Sequence, residues 1–168
     1  QQHDVSVSGI GAQFGGDSGL RFRVGDLVRI GEGAAQNAKQ ETSGLGVVCW
    51  LRETAPGHMA IGLHRLEGMA TPLAVRGIEG VGADSDYHRA LGLTVGNARM
   101  LIVPAGIFDL GTQVLYNARA VLGILALKRI VHSTKAFTLY GVESIELTPE
   151  RREVALKGLY ALLERATT

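Results

Sequence analysis

Few side chains in this sequence are placed to do chemistry, so their spacing decides the reading. The histidines are His3, His58, His64, His88 and His132. Only His58 and His64 come close, flanking one short apolar stretch, and no carboxylate or thiolate nearby completes a tetrahedral ligand set. Solvated or half-buried imidazoles are expected, and no metal. Cys49 is the one cysteine, in the apolar run Leu45-Gly46-Val47-Val48-Cys49-Trp50-Leu51. A buried, inert thiol is expected there. A single thiol forms no internal disulfide and suits a reducing compartment. Gly16-Asp17-Ser18-Gly19 has the residue order of a serine-nucleophile loop. Such a serine needs a histidine base, an orienting aspartate and oxyanion donors, and residues 1–15 are all that precede it. Gly9-Ile10-Gly11 after a strand resembles a dinucleotide-binding loop, which must open a helix aimed at the pyrophosphate. Here it runs into Gly15-Gly16-Asp17-Ser18-Gly19, which holds no helix. No nucleophile, base and oxyanion donor come together, so no enzyme and no cofactor are expected.

The elements that must position any site are short strands. The chain has 168 residues, 46% of them hydrophobic, with 23 glycines and a net charge of +1. That glycine share is about twice the usual ~7%, with no three-residue period, and it disfavours long helices. The near-zero charge gives no field to gather a nucleic-acid polymer, and no apolar run reaches the ~18 residues that a spanning helix needs. Strand-like alternation covers Asp4–Ile10, Phe22–Ile30 with a turn at Gly25-Asp26, Leu45–Arg52, Met59–Leu63 after a turn at Pro56-Gly57, and Leu73–Arg76. Residues 31–43 read as an exposed loop, and 77–97 as a linker with a short helix near Asp86–Leu91.

The second half echoes the first. Phe108–Tyr116 aligns with Phe22–Ile30, and Leu122–Arg129 with Leu45–Arg52, a tight turn near Asn117 replacing the long 31–43 loop. At the end, Thr148-Pro149-Glu150 has the form of a helix cap, and Leu156, Leu159, Tyr160 and Leu163 make a helical stripe. The expected fold is mainly β: two small barrels in tandem, residues 1–76 and 98–168 with the 77–97 linker between, plus a C-terminal α-helix.

One motif is left over. Asp4-Val5-Ser6-Val7-Ser8-Gly9 reads D-x-S-x-x-G at a strand end, followed in order by Gly25–Ile30, Leu45–Trp50 and Ile61-Gly62-Leu63. In this succession residues 3–76 resemble the PilZ family of bacterial β-barrels, which bind cyclic di-GMP. The resemblance implies that Asp4, Ser6 and Gly9 hold the ligand: the carboxylate on a guanine edge, the hydroxyl on a phosphate, the glycine allowing close approach. Trp50 falls where some members place an aromatic near the base. PilZ domains also carry an R-x-x-x-R arm and a first strand ahead of this motif, whereas only Gln1, Gln2 and His3 precede Asp4 here. The expectation is therefore half a site: either the arm belongs to a longer parent chain or this relative never bound the nucleotide, and these 168 residues alone should bind weakly or not at all. Ile102–Gly106 is taken as the equivalent stretch of the second copy, with the motif lost. The function implied is a cyclic di-GMP-responsive regulator in a bacterial cytoplasm, ordering a neighbouring domain or protein partner. The rival is a nucleotide-independent interaction module, and no membrane partner is expected.

Overall fold

Leu101-Ile102-Val103 and Phe137-Thr138-Leu139-Tyr140 are buried without a break, where a half-exposed strand would alternate. Both of their faces are covered, each by a different core. In the computed structural model, which describes residues 2–5, 9–15, 19, 21–31, 44–79, 86–118, 121–146, 148–150 and 153, the strands are β1 (Gln2–Val5), β2 (Gly9–Gly15), β3 (Leu27–Ile30), β4 (Gly44–Ala55), β5 (His58–Leu66), β6 (Met69–Glu79), β7 (His88–Val95), β8 (Ala98–Pro104), β9 (Gln113–Ala118), β10 (Val121–Ser133) and β11 (Phe137–Ile145). All pairings are antiparallel. The first five strands form a sheet in the order β1-β2-β5-β4-β3, and the other six form a closed barrel, β10-β11-β8-β7-β6-β9, in which β9 also pairs with β10.

The two units are the same construction. The barrel contains β7-β8-β11-β10-β9, which is the order of the five-stranded sheet, and β6 joins its two ends by pairing with both β7 and β9. The match extends to single hydrogen bonds. Gly25 N–H donates to Val48 O at 2.8 Å, and Val48 N–H donates to Asp26 O at 2.9 Å. Gly111 N–H donates to Leu127 O at 2.8 Å, and Leu127 N–H donates to Thr112 O at 3.0 Å. Both glycines have positive φ, 94° and 85°. The Arg23 N–H also donates to Asp26 Oδ2 at 2.8 Å, closing the first turn. The duplication read from the sequence is therefore present, with one slip. Val48 corresponds to Leu127 and Trp50 to Arg129, two positions beyond the alignment of Leu45–Arg52 with Leu122–Arg129.

The barrel is filled by side chains such as Val75, Leu101, Val103, Val114, Leu127 and Tyr140. The Tyr140 hydroxyl donates to Phe108 O in this interior. The outward residues between them, Leu93, Ile102, Phe137 and Leu139, meet Leu27, Leu45, Val47 and Leu66 of the five-stranded sheet. Each such buried side chain contributes roughly 1.5–3 kcal/mol. A smaller cluster, Leu115 and Ile124 with Ile78 and Ile145, lies outside β9 and β10.

Several expectations change. Residues 77–97 are not a linker: they contain the end of β6 and all of β7, and β6 belongs to the barrel. No helix forms near Asp86–Leu91, because His88–Val95 pairs with both β6 and β8. The first unit is an open sheet among the described strands, not a closed barrel. Pro149, Glu150 and Glu153 are helical, while the stripe from Leu156 to Leu163 lies outside the described residues.

Gly25 and Gly111 give a graded test. A Cβ on Gly25 would lie 3.1 Å from the Thr134 Cβ, whereas one on Gly111 meets nothing within 4 Å. Urea unfolding should therefore show a loss of about 1 kcal/mol for Gly111→Ala and about 2 kcal/mol or more for Gly25→Ala. Tyr140 gives a second. Burial raises its pKa above 10.0, the Asp109 charge adds to this and a hydrogen bond with Thr138 opposes it. The folded state holds the phenol proton more tightly than the unfolded chain does. This contribution is full below the unfolded pKa of about 10 and is lost as pH rises through the higher folded value. In unfolding measurements Tyr140→Phe should be less stable by about 1 kcal/mol at neutral pH and should lose less stability than the parent in alkali.

Candidate functional site

The register of β4 against β5 creates the most unusual surface feature of the first unit. Val48 pairs with Leu63 and Trp50 pairs with Gly62, so Cys49 is an extra residue in a bulge. Such an insertion sends the next side chain to the other face of the strand. Val48 therefore turns inward at 1% exposure, while Trp50 follows Gly62 outward and is 46% exposed. Cys49 is exposed as well, which corrects the expectation of a buried thiol: the bulge lifts it out of the alternation. Its Sγ donates to Val47 O at 3.6 Å.

Cross-strand pairing continues the row. Trp50 pairs with Gly62, Gly62 with Gly11, and Gly11 with Asp4. Asp4 and Trp50 thus stand at opposite ends of one row across β1, β2, β5 and β4, separated by two residues without side chains. At about 4.8 Å per strand the row spans roughly 14 Å. A Cβ on Gly62 would fall 2.0 Å from the Trp50 Nε1, so the indole occupies the space above that glycine. Gly9 lies two pairs further along β2, opposite His64, and is partly buried. Ser6 lies outside the described residues.

The barrel has the corresponding row, Leu93–Met100–Gly141–Arg129. Leu127 and Arg129 flank the matching bulge, and a Cβ on Gly141 would lie 2.8 Å from the Arg129 Nε. Leu93, in the place of Asp4, is 2% exposed and packs in the core between the units. The barrel stretch that answers Asp4–Gly9 is therefore Leu93–Ala98, not Ile102–Gly106, and it carries Leu93, Val95 and Ala98 where the first unit carries Asp4, Ser6 and Gly9.

The row is separate from a groove of about 680 Å³ between β3 and the barrel. Phe22 and Leu27 on one side and Leu91, Ile102 and Phe137 on the other give it apolar walls, with Arg21 and Arg89 also lining it. Residue patterning gave no signal for this groove, because its walls come from strands distant in sequence. Among the described residues no three His, Cys, Asp or Glu side chains gather as a metal site, and no helix is long and apolar enough to cross a membrane. Comparison of the chain with protein-family models, curated proteins and solved structures finds no match in any of the three.

The two sides of the β4 bulge should respond differently to truncation. Val48→Ala should cost about 2 kcal/mol in denaturant unfolding and Trp50→Ala about 1 kcal/mol or less. The reverse order would contradict the placement of Val48 inside and Trp50 outside.

Proposed function

We propose that the chain is a cyclic di-GMP-responsive regulatory module of the PilZ type, with the row from Asp4 to Trp50 as the ligand-facing surface of its first unit. The observation that carries this reading is the contrast between two equivalent places. Residues 4–9 and the row have a carboxylate, a hydroxyl, glycines and a half-exposed indole, whereas the barrel equivalent is aliphatic and buried at Leu93. A carboxylate, a hydroxyl and an exposed indole on a scaffold whose second copy has aliphatic residues at the first two of these positions are what a ligand site requires.

The chemistry is coherent at each position. A carboxylate at Asp4 accepts from the N–H edge of guanine, the Ser6 hydroxyl donates to a phosphate oxygen, and an exposed indole stacks on a base. Glycines at 9 and 11 present no side chain to a flat ligand, and Gly62 seats the indole that would stack on it. The topology supports the family resemblance in one further way. PilZ domains have a strand ahead of their D-x-S-x-x-G motif, and the barrel has β6 in the corresponding place ahead of β7. Regulation follows if the nucleotide favours one arrangement of this unit and its neighbour over another.

The nucleotide-independent interaction module is the second reading, and the groove between β3 and the barrel favours it, since an apolar cleft lined by Arg21 and Arg89, with Asp26 beside them, suits a partly apolar protein segment.

Calorimetric titration of cyclic di-GMP into the full-length protein distinguishes them. Saturable binding, weakened at least tenfold by Asp4→Ala and by Ser6→Ala, is the expected result. Binding that neither substitution changes removes the site, and no binding removes the function and leaves the interaction module.

A further inference from the structure

We infer that Gly62 is a positioning residue for ligand stacking: its lack of a side chain lays the Trp50 indole across β5 and makes the outer face of that indole a platform for a planar heteroaromatic ring. The inference deepens the proposed function and rests on that reading for the identity of the ring, guanine.

The geometry is specific. A Cβ built on Gly62 would approach the Trp50 Nε1 to 2.0 Å, Cε2 to 2.2 Å and Cδ1 to 2.7 Å. Three atoms of the five-membered ring surround the place a side chain would fill, so the pyrrole half of the indole covers Gly62. Any residue with a Cβ at position 62 must displace the ring. An indole resting on backbone is held on one side and, at 46% exposure, remains open to solvent on the other. A tryptophan free to swing among rotamers loses that entropy on stacking; one already seated on a neighbouring strand does not. Placing it in advance is therefore a binding contribution made by the glycine and not by the indole itself.

The barrel shows that this device belongs to the fold. After the matching bulge, Arg129 crosses Gly141, where a Cβ would lie 2.8 Å from its Nε and 2.9 Å from its Cγ. In both units a bulge followed by a residue with a planar group stands opposite a glycine. The indole of the first unit offers a wider aromatic face than the guanidinium of the second, and only the first has Asp4 and Gly11 along the same row.

Trp50 is the one tryptophan of the 168 residues, so its fluorescence reports on this place alone. Three measurements test the inference. In the NMR spectrum of the 168-residue chain, the Gly62 Hα resonances should be shifted upfield by the indole ring current and should show NOEs to the indole. Resonances at ordinary positions without those NOEs would overturn the geometry, whether or not any variant folds. In the full-length protein, cyclic di-GMP and GMP should quench Trp50 fluorescence and ribose 5-phosphate should not. Gly62→Ala, with unchanged far-UV circular dichroism, should weaken the quenching titration at least tenfold and make Trp50 more accessible to acrylamide. Retained affinity in Gly62→Ala overturns the positioning role. If that variant does not fold, Trp50→Leu replaces it, with GMP binding followed by calorimetry, and unchanged affinity overturns the platform. Quenching by neither nucleotide in the parent also overturns it. Quenching by GMP with cyclic di-GMP no tighter upholds the platform and overturns the cyclic dinucleotide reading alone.

Discussion

The pair of hydrogen bonds that clamps the Gly25-Asp26 turn onto Val48 sets the register on which the rest of the first unit depends. Gly25 donates to the Val48 carbonyl while the Val48 amide donates to Asp26, so β3 can meet β4 in one register only. The clamp holds Val48 immediately before the bulge. The pairings from Trp50 to Glu53 are then offset by one residue: Cys49 is pushed out, Trp50 faces Gly62, and the row runs on through Gly11 to Asp4. The same clamp between Gly111, Thr112 and Leu127 places Arg129 over Gly141 in the barrel. A glycine turn is needed because the backbone there has positive φ, where a Cβ is strained.

Two cores share the strands between them. Along β8 and β11 one set of side chains fills the barrel and the alternate set meets Leu45, Val47 and Leu66 of the five-stranded sheet, so the units are joined outer face to outer face. Gly62, His64 and Leu66 lie at alternate positions on one face of β5, and Leu66 is packed against the barrel. A ligand on the row at Gly62 would therefore occupy the same face of the sheet that meets the barrel, which gives a short physical route from binding to the arrangement of the two units.

Much of this was legible in the residues. The Gly25-Asp26 turn, the β4–β5 hairpin around Pro56-Gly57 and the correspondence of Phe22–Ile30 with Phe108–Tyr116 all follow from turn chemistry and alternation. The β4 to β10 correspondence slipped by two because apolar runs such as Leu45–Trp50 and Leu122–Leu127 match in several registers, and a bulge leaves no mark on hydrophobicity. β7 was read as linker and helix because Gly92 interrupts its pattern; the small Ala90 and Gly92 lie on the barrel side, while Leu91, Leu93 and Val95 pack outside. Of the proposed site, Asp4, Ser6 and Gly9 stand out in the sequence as a motif, and Trp50 only through the resemblance to PilZ domains. The role of Gly62 was not, since it depends on which residue lies across the neighbouring strand.

The asymmetry between the units is as informative as their likeness. β6 joins β7 to β9 in the barrel, and among the described strands none joins β1 to β3. Where the barrel row packs Leu93 and Met100 between the units, the first unit has Asp4 and Gly11, and an exposed indole lies over Gly62. The β4 register and the likeness of the two units depend on the two clamps, and amide hydrogen exchange of the 168-residue chain measures both clamps directly. Gly25 and Gly111 amides should both exchange far more slowly than unstructured chain, because each donates to a β-strand carbonyl. A Gly25 amide exchanging at the unstructured rate while Gly111 stays protected would contradict the duplication, the β4 register and the site built on it.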